Sequence, residues 1–69
     1  MNTDEKLVMM ANQIAQFFAA QGEARAVPAI ADHIRKFWDP QMRSEFLALV
    51  PGAEAKLHPL VRKAVALIR

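Results

Sequence analysis

The Asp39-Pro40 step, arriving at the end of a stretch of helical spacing, constrains this fold more than any other feature of the chain. A proline ring pushes the residue before it out of the helical region, so a helix reaching Trp38 has to stop there. Asp39 is also a good N-cap and Pro40 a favoured first helical residue, so a new helix has to begin at once. Two helices therefore meet at a bend in the middle of the sequence. The segment around it, His33 to Arg43, holds the only tryptophan together with a histidine, Arg35, Lys36 and Arg43. A chain this small concentrates its bulkiest and its most polar groups there, and the block reads as a surface for another protein.

Helical periodicity fills in the rest. Thr3 is expected to cap a first helix, with Asp4 and Glu5 in the first turn, where the helix dipole favours negative charge. Leu7, Met10, Ala11, Ile14, Phe17 and Phe18 recur at helical spacing, while Asn12, Gln13 and Gln16 fall elsewhere. Gly22 ends this helix near Ala20 or Gln21. Pro28 suits a first turn, so the second helix is expected to start near Ala26 or Val27. Its apolar stripe is Ile30, Ile34, Phe37 and Trp38, with Asp32 and Lys36 one turn apart on the outer side. The third helix turns Met42, Phe46, Leu49 and Val50 inward, and Pro51-Gly52 closes it. A loop from Ala53 to His58 leads to Pro59, which opens a last helix whose broad apolar face is Leu60, Val61, Ala64, Val65, Leu67 and Ile68. The expected fold is all-α, a small compact bundle of about four short helices near 4–20, 27–38, 40–50 and 59–69, in one domain spanning 1–69.

Composition limits the chemistry. At 69 residues the chain lies near the lower limit for independent folding and buries only about 60% of its unfolded surface. It has no cysteine, so it has no disulfide, no cysteine-rich zinc site and no thiolate for an iron–sulfur cluster. Yet 54% of its residues are hydrophobic, with four Phe and four Met. A bundle this small is expected to leave part of that apolar material for a partner to cover, or to self-associate when isolated. The N-terminal residues read as a helix start rather than a signal peptide, and the apolar runs are too short to span a membrane. The expected compartment is the cytoplasm.

Catalytic arrangements are hard to assemble from these residues. His33 and His58 fall on different elements, whereas a metal site needs three or four ligands. His33 lies one helical turn before Phe37 and reads as a structural or interface residue, and His58 as an exposed residue just outside a helix start. Asp4, Glu5, Asp32, Asp39, Glu45 and Glu54 all have cap or surface explanations. Gly22 and Gly52 form no phosphate loop, and Ser44 is the single serine. No catalytic, cofactor-binding or metal-ligating residue is expected in this chain. The net charge is only +2. It is distributed unevenly, with Asp4, Glu5 and Glu23 against Lys6 near the start, and Lys56, Arg62, Lys63 and Arg69 against Glu54 near the end. That suits helix ends and mild steering of a partner, and is too sparse for a phosphate track, so no nucleic acid is expected. A helix-turn-helix reading would make Pro40 to Val50 the recognition helix. Gln41, Arg43, Ser44 and Glu45 are a thin set for a DNA groove.

The candidate partner surface comprises Met10, Asn12, Gln13, Phe17, His33, Phe37, Trp38, Met42 and Arg43. Trp, Met and Arg are enriched at the centres of interfaces, and Trp38 is the expected anchor. The competing reading puts Phe37 under the first helix and Trp38 over the third, as local core. Neither Met9-Met10 nor Phe17-Phe18 can turn both members toward one core, so one of each pair is expected on an outer face.

These residues also carry a resemblance. The block Met10-Ala11-Asn12-Gln13-Ile14-Ala15 with Phe17-Phe18, then His33-Ile34, Phe37-Trp38-Asp39-Pro40 and Met42-Arg43, closely resembles the small delta subunit of NAD-dependent, molybdenum-containing formate dehydrogenases. The likeness extends more weakly to Leu57-x-Pro59-Leu60-Val61 with Ala64, and Gln41 stands where that family more often has a basic residue. The resemblance implies a non-catalytic accessory subunit of a soluble complex that oxidises formate to carbon dioxide and reduces NAD. It implies catalytic and diaphorase subunits as partners, with molybdopterin, iron–sulfur clusters and FMN held by those larger subunits. It also implies a role in assembly or stability, either as a permanent subunit or as a transient chaperone for cofactor insertion. A small DNA-binding regulator is the remaining alternative.

Overall fold

In the computed structural model, which describes residues 2–69, helix α1 spans Thr3–Ala19, α2 Glu23–Phe37, α3 Pro40–Ala53 and α4 Pro59–Ile68, with a 3₁₀ turn at Glu54–Lys56 between the last two. No strand forms among the described residues. α1, the longest helix at 17 residues, touches all three others, and α2 makes its most extensive contact with α4.

Local chemistry sets most of the boundaries. Asn2, not Thr3, caps α1: its Oδ1 accepts the Glu5 N–H at 2.8 Å and Thr3 is already helical. Asn ranks above Thr as an N-cap residue, and Asn2 is placed to bond the third amide of the helix. Gly22 makes the reversal into α2, with φ 88° in the left-handed region where glycine carries no Cβ penalty. Its carbonyl accepts the Ala26 N–H at 2.8 Å, so α2 starts at Glu23, three to four residues before the expected start at Ala26 or Val27. Pro28 consequently lies inside the helix rather than in its first turn.

The bend falls where the Asp-Pro step requires it. Trp38 leaves the helix with extended backbone (φ −88°, ψ 135°). Asp39, also extended, accepts the Met42 N–H at 2.8 Å, and Pro40 occupies the first turn. α3 then runs past its expected end, through Pro51 and Gly52 to Ala53. Both interior prolines lie on exposed faces, where the carbonyl that each leaves unpaired can be hydrated.

The core is built from alanines at the close helix contacts and branched or aromatic side chains between them. Ala11, Ala15, Ala26, Ala31 and Ala64 are fully buried, and Phe46, Ile30, Ile34 and Val61 are the largest side chains completely enclosed. Ion pairs bind α2 at the surface. Lys36 reaches Asp32 at 3.0 Å one turn away, and Glu23 in the first turn of α2 pairs with Lys63 of α4 at 2.7 Å. At the other end of α2, the Arg35 guanidinium donates to the Leu67 carbonyl at 3.2 Å, supplying a donor to the last turn of α4. Pairs this exposed each contribute under about 1 kcal/mol, so they orient the helices more than they hold them.

Candidate functional site

Large exposed apolar side chains gather mainly around α1, although Leu67, expected on the apolar face of α4, is 45% exposed as well. The α1 side chains Met9, Met10 and Phe17 are 42%, 37% and 76% exposed, and Phe37 at the end of α2 is 73% exposed. Rings connect these two phenylalanines. Phe17 meets Phe18 edge to face at 5.1 Å, Phe18 meets His33 at 6.2 Å, and His33 lies 4.8 Å from Phe37 with its ring tilted by 40°. The result is a strip of four rings crossing from α1 to α2, with an open ring at each end. Beside it a shallow groove of about 330 Å³ is lined by Met10, Gln13, Ile14, Phe17, Phe18, His33 and Trp38.

The periodicity of the two helices explains the arrangement. α1 turns Leu7, Ala11 and Ala15 into the core, so Met10, Gln13 and Phe17 fall to one side of that stripe. On α2 the core stripe is Ala26, Ile30, Ala31 and Ile34, which leaves His33 and Phe37, one turn apart, side by side on a flank. Of the expected surface residues, Met10, Gln13, Phe17, His33, Phe37 and Trp38 are thus brought together. Phe18 and Ile14 belong with them, although their spacing marked them only as stripe residues.

Trp38 has a different part from the expected one. It is 5% exposed, and its indole packs edge to face on Phe46 of α3 at 5.4 Å. It forms the floor of the groove and belongs to the core, so it is not an outward anchor. The chain leaves α2 at this residue, and the extended backbone swings the indole under the bend while Phe37, still helical, stays outside. The expectation of Phe37 under the first helix fails for the same reason.

Three other candidates stand apart from the strip. Asn12 faces the chain's own loop. Its Nδ2 donates to the Lys56 carbonyl at 2.9 Å and its Oδ1 accepts the His58 N–H at 2.8 Å. His58 is half-buried rather than exposed, because its Nδ1 accepts the Leu60 N–H at 3.1 Å and caps α4. Met42 packs half-buried against the core. Arg43 is half-buried, with its Nε enclosed and without a hydrogen-bond partner.

A second, larger groove of about 840 Å³ runs along the other side of α1, against α3. Val8, Met9 and Leu49 supply apolar walls, with Ala48, Gly52 and Ala53 on the α3 side and Asp4 and Glu5 at one end. Nothing in the spacing of the sequence marked it. Among the described residues no group of three or more His, Asp or Glu could hold a metal ion, and no helix is long and apolar enough to cross a membrane.

Compared with known proteins, the chain matches over residues 6–65 a family model described as the NADH-dependent formate dehydrogenase delta subunit, FdsD. That span includes every residue of the aromatic strip. Neither the curated proteins nor the solved structures contain a match.

Proposed function

Since the chain belongs to the family of NADH-dependent formate dehydrogenase delta subunits, we propose that it is a non-catalytic accessory subunit that docks on the larger subunits through the aromatic strip and supports assembly or stability of the complex. The observation that carries this reading is the exposure of Phe17 and Phe37, each about three-quarters open, at the two ends of one connected row of rings. Aromatic groups of this size are costly to leave in water and are the common anchors of interfaces. In this reading the molybdopterin, the iron–sulfur clusters and FMN belong to the catalytic and diaphorase subunits; for the clusters, this chain has no cysteine thiolate to offer an iron. A cytoplasmic location goes with it.

Gln41 and Glu45 are hydrogen-bonded to each other at 3.2 Å and Arg43 is half-buried, which favours the protein partner over a DNA groove. The test is reconstitution of the purified catalytic and diaphorase subunits with this chain and with its Phe17→Ala/Phe37→Ala variant. A loss of roughly 2 kcal/mol, about 30-fold in affinity, is expected for removing a central aromatic anchor. Binding of the variant at the parent strength would refute the strip as the contact. The parent is expected in stoichiometric amount in the active complex. Its presence only in cofactor-free precursors would make it a transient assembly chaperone.

A further inference from the structure

We infer that His33 sets the specificity of the aromatic strip: the large subunit that covers the row of rings places an acceptor oxygen, of a carbonyl or a carboxylate, against the imidazole N–H. This rests on the reading of the chain as a docked subunit. It names the chemistry that the covering surface brings to one point of that contact.

The ring of His33 is held within the row, 4.8 Å from Phe37 on one side and 6.2 Å from Phe18 on the other, and is half-buried. Among the described residues it makes no hydrogen bond and no ion pair. Neither of its nitrogens is enclosed, since Arg43 Nε is the one buried side-chain nitrogen or oxygen without a partner among those residues. In the free chain the imidazole therefore faces solvent. An imidazole carries one N–H in either neutral tautomer and two when protonated, so it always has a donor to satisfy. Phe17 and Phe37 stand at the two ends of the row, and a surface that covers both shuts His33 off from water. A donor left unmet there weakens binding roughly five- to 150-fold. A purely apolar cover is therefore a poor fit, and one with an acceptor at this point is a good one.

The neighbouring groups agree. Gln13, on the rim of the same groove, is exposed and can turn its amide to water at the edge of a contact, whereas His33 is fixed between two rings. The indole of Trp38 also lines the groove, and its N–H likewise has no acceptor among the described residues and is not enclosed. Tryptophan can only donate. No Asp or Glu lines the groove, so an acceptor oxygen for these ring donors has to come from outside the chain.

The experiment measures binding to the purified catalytic and diaphorase subunits for the parent, His33→Phe, His33→Gln, His33→Leu and the strip variant Phe17→Ala/Phe37→Ala, with a thermal melt of each isolated chain. His33→Phe keeps four rings in the row and adds apolar area, so a purely apolar cover would hold it at least as tightly as the parent. It is expected instead to bind about tenfold more weakly, because the acceptor opposite loses its donor. Its melting temperature is expected to stay near that of the parent, since no hydrogen bond within the chain is lost. Should it melt far lower, His33→Gln and His33→Leu, alike in size, carry the same comparison, and the glutamine variant is expected to bind more tightly. Weakening by salt that disappears in His33→Phe marks the acceptor as a carboxylate, and its absence marks a carbonyl; both uphold the inference. Parent-strength or tighter binding of a folded His33→Phe overturns it, as does binding of His33→Gln no tighter than that of His33→Leu. If His33→Phe binds normally while the strip variant does not, the role of His33 falls and the docked-subunit reading stands. If the strip variant binds like the parent, both fall.

Discussion

Asn12 shows what one side chain can do in a bundle with few polar contacts. Its amide spans to Lys56 and His58 and is the polar bracket between α1 and the turn that precedes α4. Asn12→Ala leaves a half-buried N–H without its acceptor, which costs about 1–3 kcal/mol. For a domain this size each kcal/mol lowers the melting temperature by about 4–8 °C, so a thermal melt of the variant is expected to drop by several degrees. An unchanged melt would show that the bracket does no work. The adjacent pair Phe37-Trp38 makes the sharper contrast. Trp38→Ala removes a core indole and is expected to cost about 3–5 kcal/mol, close to the whole stability of so small a domain. Phe37→Ala removes an exposed ring and is expected within about 0.5 kcal/mol of the parent. Denaturant titration checks the order, and the reverse order would contradict the placement of both rings. The sequence placed both rings at the bend but did not reveal which faced out. Spacing assigns both to one stripe, and only the extended conformation at Trp38 separates them.

At the scale of elements, the all-helical class, the number of helices and the break at Asp39-Pro40 were legible, because capping and proline chemistry act within a few residues. The misplaced ends share one cause. Pro28 and Pro51-Gly52 were read as punctuation, whereas α2 and α3 run through them. Tertiary packing of α2 on α4 and of α3 on α1 overrides a local preference when the proline lies on the exposed side. A native interior proline still forfeits one helical hydrogen bond and crowds the carbonyl one turn earlier. Pro28→Ala is therefore expected to stabilise the isolated chain by about 1–3 kcal/mol, read as a higher denaturation midpoint with an unchanged slope. A destabilised variant would mean that α4 packs against a bend which the proline creates.

The molecule as a whole is as closed as its size permits. Its radius of gyration of 10.8 Å and accessible surface of 4336 Å² match the roughly 11 Å and roughly 4,300 Å² of a folded monomer of this length and mass. The exposed rings are therefore not the residue of poor compaction. The excess of apolar material lies in the position of a few large side chains, not in the total surface. The convergence of Met10, Gln13, Phe17, His33 and Phe37 on one face was legible in the sequence. The α1–α3 groove was not, because it arises from the small residues Ala48, Gly52 and Ala53, which carry little hydrophobic signal. The central claim is that a larger subunit covers the row of rings, and residue-resolved oxidative footprinting of Phe17 and Phe37 tests it most directly. Both rings are expected to react readily in the isolated chain and to be strongly protected in the assembled formate dehydrogenase. Equal reactivity in the two states would contradict the account.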